Sequence, residues 1–314
     1  MANGLSILGS TEDSKLRSLY WFEDATLILI IGDAHFRVHH PLISRHSNIF
    51  KTLPLPLNPQ TVVLTAGNSN GALKNDTSSL IVQELVAARD FEILLAHLYH
   101  DEPLTQKSDL ARVSAILRVS SPCQLDFPHL HTLAKNIFEQ LVPADPLRLD
   151  PRIHSPYETL ELASRHRLNS IRKSVLYWVV TTHHFEEGDT LEDQSSNVDL
   201  KRSRVTETDK KICEDLLGRI IEHFTPILYT PATGSHMPCT DRFADLWMPY
   251  VIQPSLENDG VYKPLETLER IKSIDWEKEG LCPECVAEKR EEWTEEQKTA
   301  WEKIEQWIDS HQDD

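Results

Sequence analysis

No apolar run in the sequence exceeds six residues, Val175–Val180, far short of the ~20 needed for a membrane-spanning helix. Met1–Ser10 carries neither a basic stretch nor an apolar one, so no secretory signal is expected. Cysteines are few and odd in number: Cys123, Cys213, Cys239, Cys282 and Cys285. That set makes a poor disulfide framework and points to a reducing compartment, cytoplasm or nucleus. The sequon Asn75-Asp76-Thr77 then has no route to glycosylation. There is no P-loop, no His-Glu-x-x-His and no dinucleotide-type glycine pattern, nor any repeat of fixed period. Basic residues are outnumbered, 32 against 49 acidic ones, for a net charge of −17. Bulk charge therefore excludes direct binding to nucleic-acid backbones and to anionic membranes.

The acidity is uneven. Residues 275–314 hold 14 acidic and 5 basic side chains, a net of −9, which leaves −8 for all the rest. Apolar residues make up 40% of the 314, enough to build a core. Residues 1–17 read as a flexible polar tail. Leu27–Ile31, the turn Gly32-Asp33 and Ala34–Val38 form a hairpin, with the first strand expected to be covered on both faces. Pro41 opens an apolar stretch at helical spacing that runs to Leu53, where Pro54, Pro56 and Pro59 end it. Thr61–Leu64 is a strand candidate, and 65–79 reads as a polar surface loop. Phe91, Leu94, Leu95, Leu98 and Tyr99 then mark a helix, with further helices near 108–119 and 127–142.

Beyond Pro143 the chain reads as mainly helical: an extension over 143–185, an exposed linker over 186–209 and a C-terminal region over 210–314. Near its end, 293–309 gathers Trp293, Trp301, Ile304, Trp307 and Ile308 on one side of an amphipathic helix. Such a face either packs on the helices of 156–225 or binds a partner.

The order strand, hairpin, strand, helices resembles the BTB/POZ fold. The signature residues are Asp24, then Phe36-Arg37-Val38-His39, Leu42, and Ser47-Asn48-Ile49-Phe50. The stretch from Phe91 to Tyr99, with Leu94 and Leu95 inside it, is similar to the family's Phe-x-x-Leu-Leu-x-x-Leu-Tyr helix. The likeness covers 18–142. The remainder resembles fungal BTB proteins with a helical C-terminal extension, through Leu216-Leu217-Gly218-Arg219, Cys239 ahead of Trp247, and Cys282-Pro283-Glu284-Cys285 leading into a Trp-bearing helix. The resemblance implies an α+β fold: a small mixed sheet covered by helices, then a mainly helical region. It implies a homodimer, with Leu16, Leu19, Trp21, Asp24, Leu42, Ile43, Ile49 and Phe50 at the dimer or partner interface. It also implies adaptor work on a cullin scaffold, although Leu53–Gln60 lacks the Glu of the family's cullin-contact motif. Two further departures are His40-Pro41, where a basic residue usually stands, and the long loop at 65–79. His39 would cap a backbone group at a strand-to-helix junction or, with His35, His40 and His46, ligate a metal. Asp24 would be either a buried charge at the dimer contact or an exposed strand-start residue.

Three constellations bear on chemistry. Gly67-Asn68-Ser69-Asn70-Gly71 fits a nucleophile elbow in letters, but the next residues, Ala72-Leu73-Lys74-Asn75, make a poor helix start. His236-x-x-Cys239 and Cys282-x-x-Cys285 are two pairs with knuckle spacing, able to grip one Zn²⁺ in a closed, structural Cys₃His tetrahedron. The 42 residues between the pairs exceed the usual zinc-ribbon spacing. Cys213 or His223 could stand in for His236. Plain thiols at a helix start and a redox Cys-x-x-Cys are the alternatives. The expectation is a non-catalytic protein–protein interaction protein. A serine hydrolase, a thiol oxidoreductase and a transcription regulator are the rival classes, the last disfavoured by the acidic balance and the missing finger arrays.

Overall fold

The computed structural model describes residues 17–53, 60–66, 78–150, 155–182 and 206–310. The chain is mixed α+β and divides into two compact units, residues 1–141 and 142–314. The tail 1–16 with Leu16, the proline-rich 54–59, the elbow-like 67–71, the end of the expected extension, 183–185, and residues 186–205 of the expected linker lie outside the described residues.

The first unit is built on a five-stranded mixed sheet in the order β1-β3-β2-β4-β5. The strands are β1 (Arg17–Trp21), β2 (Leu27–Ile31), β3 (Ala34–Val38), β4 (Gln60–Ala66) and β5 (Ser78–Val82). β2 and β3 form the expected antiparallel hairpin, with Leu29 opposite Phe36. Gly32 takes φ 58 in its turn, which a two-residue hairpin turn requires and glycine supplies without strain. Strand β2 alternates: Leu27, Leu29 and Ile31 are buried, whereas Ile28 and Ile30 are only half-buried, so one face carries the core. β4 runs parallel to β2, and β5 parallel to β4. β5 occupies the end of a stretch that reads as loop, because five residues of Ser, Leu, Ile and Val beside a long polar run give little periodicity.

Helices close this sheet: α1 (His40–His46), α2 (Ala88–Leu98), α3 (Leu110–Val119) and α4 (Pro128–Leu141). Phe36 meets Phe91 edge to face, with ring centroids 4.9 Å apart. Ser47 is wholly buried; its Oγ donates to the Leu125 carbonyl at 2.6 Å and accepts from the Phe50 N–H at 3.2 Å. Arg118 forms a two-pronged pair with Asp90, joining α3 to α2.

The second unit is helical: α5 (Pro156–Arg165), α6 (Asn169–Thr182), α7 (Glu207–Tyr229), α8 (Met237–Trp247), α9 (Gln253–Glu257), α10 (Pro264–Ser273) and α11 (Pro283–Ser310). A π-helical stretch, Met248–Ile252, joins α8 to α9. The amphipathic helix expected at 293–309 starts ten residues earlier, at Pro283, whose fixed φ suits a first helical position. Its stripe is packed within its own unit. Trp293 enters the core, Trp301 meets Tyr177 edge-on at 5.9 Å, and Trp307 meets His223 at the same distance. Trp276, wholly buried, lies at the centre, within 6.3 Å of Trp247, 5.8 Å of Trp293 and 5.3 Å of Phe243. Both central indoles are satisfied: Trp276 donates to the Ile271 carbonyl and Trp247 to that of Leu228.

Residues 206–209, expected within the exposed linker, instead open α7. Thr206 is the N-cap, accepting from the Asp209 N–H at 3.1 Å. Asp209 is 1% exposed. One of its oxygens takes both Arg172 donors, at 2.9 and 2.5 Å, and the other takes the hydroxyls of Ser164 and Thr206 at 2.8 Å each. A charge this deep needs such a saturated shell. Polar composition hid it, because a buried aspartate and a linker aspartate are the same letter. Replacing Arg172 by Ala strands the carboxylate, and we expect a loss of about 3–5 kcal/mol in urea unfolding. A loss below about 1 kcal/mol would show that α7 does not rely on this pair.

Candidate functional site

Two helix starts meet in the second unit. His236 is the N-cap of α8, with Pro238 in the first turn and Cys239 one residue further. Cys282 directly precedes α11, with Pro283 first and Cys285 third. The two pairs thus share one local design: a donor at the cap, a proline inside the turn, and a second donor where the helix's free N–H groups begin. Spacing of three places both donors of a pair on the same side. The Cys285 N–H points back at Cys282 Sγ, 3.5 Å away, as in any side-chain cap.

The four donor atoms lie within 4.8 Å of one another. His236 Nδ1 is 3.4 Å from Cys282 Sγ and 3.4 Å from Cys285 Sγ, and Cys239 Sγ is 3.6 Å from Cys282 Sγ. Metal bonds of about 2.3 Å to sulfur and 2.0–2.1 Å to nitrogen give tetrahedral edges of roughly 3.8 Å between sulfurs and 3.6 Å between sulfur and nitrogen. The observed separations are those of a four-donor cage able to hold a metal ion. Cys239 and Cys285 are buried, Cys282 is half-buried and His236 is exposed, so the cage has a dry side and a wet side.

Outer contacts hold the donors. Ser235 Oγ lies 3.3 Å from Cys285 Sγ. That hydroxyl, then the His236 backbone and the thiols of Cys282 and Cys239, hold the Cys285 thiol down to about 6 against the opposing effect of burial. The two sulfurs it faces raise the His236 imidazole above its ordinary value. Thr240 Oγ1 donates to the Gly234 carbonyl and accepts the Gly234 N–H, tying the loop to α8. A Cβ on Gly234 would stand 3.1 Å from both Cys239 Cβ and Cys285 Sγ, so any larger residue there would press on two of the donors. Sequence reasoning found the four donors and missed this loop, although Gly234-Ser235 stands directly before the first pair.

The substitutes considered for His236 are elsewhere. Burial, with the Asp209 carboxylate beside it, pushes the Cys213 thiol up to about 12. His223 faces Glu296 and Trp307. Among the described residues no other cluster of His, Cys, Asp or Glu approaches metal-binding geometry.

The N-terminal candidates fall into two sets. Asp24, His39 and Tyr99 form a chain: His39 Nδ1 is 2.9 Å from the Tyr99 hydroxyl and His39 Nε2 is 3.3 Å from Asp24. Tyr99 also accepts the His39 N–H at 3.1 Å. The His39 ring therefore serves two side chains, and neither caps the backbone nor joins a metal cluster, because its two nitrogens are taken by Tyr99 and Asp24. Asp24 is exposed, its carboxyl held below the ordinary range chiefly by the hydrogen bond from His39. Phe36, Ser47, Phe50 and Leu94 are buried core residues. Of the expected interface residues, Leu19 is 95% exposed, whereas Ile43 and Phe50 are at 0% and lie inside their own unit. They cannot form a contact surface, because they are wholly buried inside the unit, in the segment that Ser47 and Asn48 tie to Leu125 and Asp126. Trp21, Leu42 and Ile49 are half-buried, with Arg17 stacked over the Trp21 ring.

Removing an outer partner of a ligand usually weakens a metal site by about 10- to 100-fold. We therefore expect Ser235→Ala to lower affinity for Co²⁺, titrated through its thiolate charge-transfer absorbance, by about tenfold or more. An unchanged affinity would remove Ser235 from the site. Neither a protein-family model nor a curated protein matches this chain.

Proposed function

We propose that this chain is a non-catalytic protein–protein interaction protein. Its N-terminal unit acts as a BTB/POZ-type module for self-association or partner docking, and its C-terminal unit is a helical module stapled by a structural zinc ion. The observation that carries the zinc reading is the closed four-donor cage of His236, Cys239, Cys282 and Cys285. Three sulfurs and one imidazole suit a tetrahedral, borderline-soft cation. With all four positions supplied by protein there is no place for a substrate, so the ion would serve structure. A thiol oxidoreductase at Cys282 and Cys285 would leave Cys239 and His236, both within reach of those sulfurs, without a task.

Support for the BTB reading comes from two features. The β2–β3 hairpin runs straight into α1, and Asp24, His39 and Tyr99, three signature residues far apart in sequence, are hydrogen-bonded into one chain. Self-association is favoured by β1. It forms one edge of the sheet and presents Leu19 almost wholly to solvent, a pairing template that a solitary protein normally blunts. The interface would then run along Leu19, Trp21 and Asp24 rather than through the buried Ile43 and Phe50. No helix among the described residues is long and apolar enough to cross a membrane.

Light scattering after size exclusion should give twice the 36.0 kDa chain mass at micromolar concentration, and Leu19→Asp should shift the protein toward monomer. A wild-type species of 36.0 kDa at high micromolar concentration would end the self-association reading. Protein purified without added metal should carry about one zinc per chain by elemental analysis, and its stripping by a chelator should lower the melting temperature. A folded protein with less than about a tenth of an equivalent would end the zinc reading.

A further inference from the structure

The donors of the cage are not equivalent. Cys239 and Cys285 are buried, whereas Cys282 is half-exposed beside the exposed His236. Cys282 Sγ is thus the sulfur a small oxidant in water reaches first. Its neighbour across the helix gap is Cys239 Sγ, 3.6 Å away, and no side chain stands between them. Ser235 Oγ engages Cys285 at 3.3 Å and Cys239 Sγ faces Cys282 at 3.6 Å, while His236 Nδ1 stands 3.4 Å from both Cys282 and Cys285. The remaining cysteines differ in kind. Cys213 is buried beside a carboxylate, its thiol held protonated, and Cys123 lies in the other unit.

We propose that the cage is an oxidation site for hydroperoxides, in which Cys282 is attacked first and a Cys239–Cys282 disulfide expels the metal. This rests on the zinc reading for what is released and on the sulfur geometry alone for what is bonded. In the first step the Cys282 thiolate attacks one peroxide oxygen. The O–O bond breaks, hydroxide leaves and is neutralised by a buffer acid in solution, and the sulfur becomes a sulfenic acid, oxidised by two electrons. In the second step the Cys239 thiolate attacks that sulfur. The S–S bond forms, the S–O bond breaks, and a second hydroxide leaves. One peroxide is reduced per disulfide, and no other oxidant is needed. The ion then retains only His236 and Cys285, too few for a closed tetrahedron, and departs. The disulfide replaces the staple with a bond between α8 and the start of α11 that a thiol reductant can undo.

The test uses the full-length protein as purified. It is treated with hydrogen peroxide up to a few equivalents, with zinc release followed by a chromogenic chelator and disulfides mapped by non-reducing peptide mass spectrometry. The expected result is one zinc released for each Cys239–Cys282 disulfide, with rebinding after dithiothreitol and added zinc. A disulfide found only between Cys282 and Cys285, or a cage that keeps its metal and a reduced Cys282 while Cys123 is oxidised, would overturn the proposal. The zinc content of untreated protein is measured on the same sample. Zinc-free protein that still forms Cys239–Cys282 would refute the zinc reading and uphold the oxidation. Zinc-loaded protein that never forms it would do the reverse.

Discussion

Three thiols and an imidazole brought within 4.8 Å by two helix N-termini make a four-donor cage able to hold a metal ion, and the packing of the second unit runs through it. Two like charges about 4 Å apart repel by roughly 4 kcal/mol at the effective dielectric of a protein surface, a repulsion among thiolate forms that a bound cation would offset. The helix ends help, since each presents unpaired N–H groups and a partial positive charge to the sulfurs. The cage is also continuous with the aromatic core. Cys239 and Cys285 belong to the same buried cluster as Phe243, Trp247, Trp276 and Trp293. Whatever fixes the cage therefore fixes the angle at which α11 enters the unit, and with it where Trp293, Ile304 and Ile308 land.

The N-terminal unit has another logic. Its coherence comes from alternation on β2, from one aromatic contact between hairpin and helix, and from polar side chains that tie distant segments. Ser47 joins the turn after α1 to the segment before α4, and Asp90 joins α2 to α3. The Asp24–His39–Tyr99 chain lies nearer the surface. Tyr20 and Phe22 lie against Tyr99, with ring centroids 5.8 and 4.8 Å away. The segment that continues β1 is thereby fastened to Tyr99, while among the described strands β1 pairs with β3 alone.

Much of this is legible in the amino-acid sequence. The hairpin announces itself through five β-favouring residues and a glycine turn, and α2 through its apolar spacing. The four donors of the cage are readable as two pairs of knuckle spacing. Their union is not, because 42 intervening residues carry no sign that they fold back. Other failures share a physical cause: short-range pattern reports local preference and is silent about distant partners. Asp209 reads as solvated until Arg172 is placed beside it. Ile43 and Phe50 read as a sticky face, yet both are wholly buried in their own unit. β5 has no pattern of its own and becomes a strand because β4 offers it an edge.

The position of α11 at the far end of the second unit has a consequence for synthesis. Ribosomes release chain at about 5–20 residues per second, and domains form as their residues emerge. The first unit has all of its elements by Leu141 and can close while the rest is still being made. The second cannot, because its last helix brings half of the cage and much of the surface that covers Trp276. Helices α5 to α10 therefore wait, with Cys239 and the tryptophans uncovered, until α11 itself has emerged. That interval is when the nascent chain is most exposed to chaperones, to free metal and to oxidants.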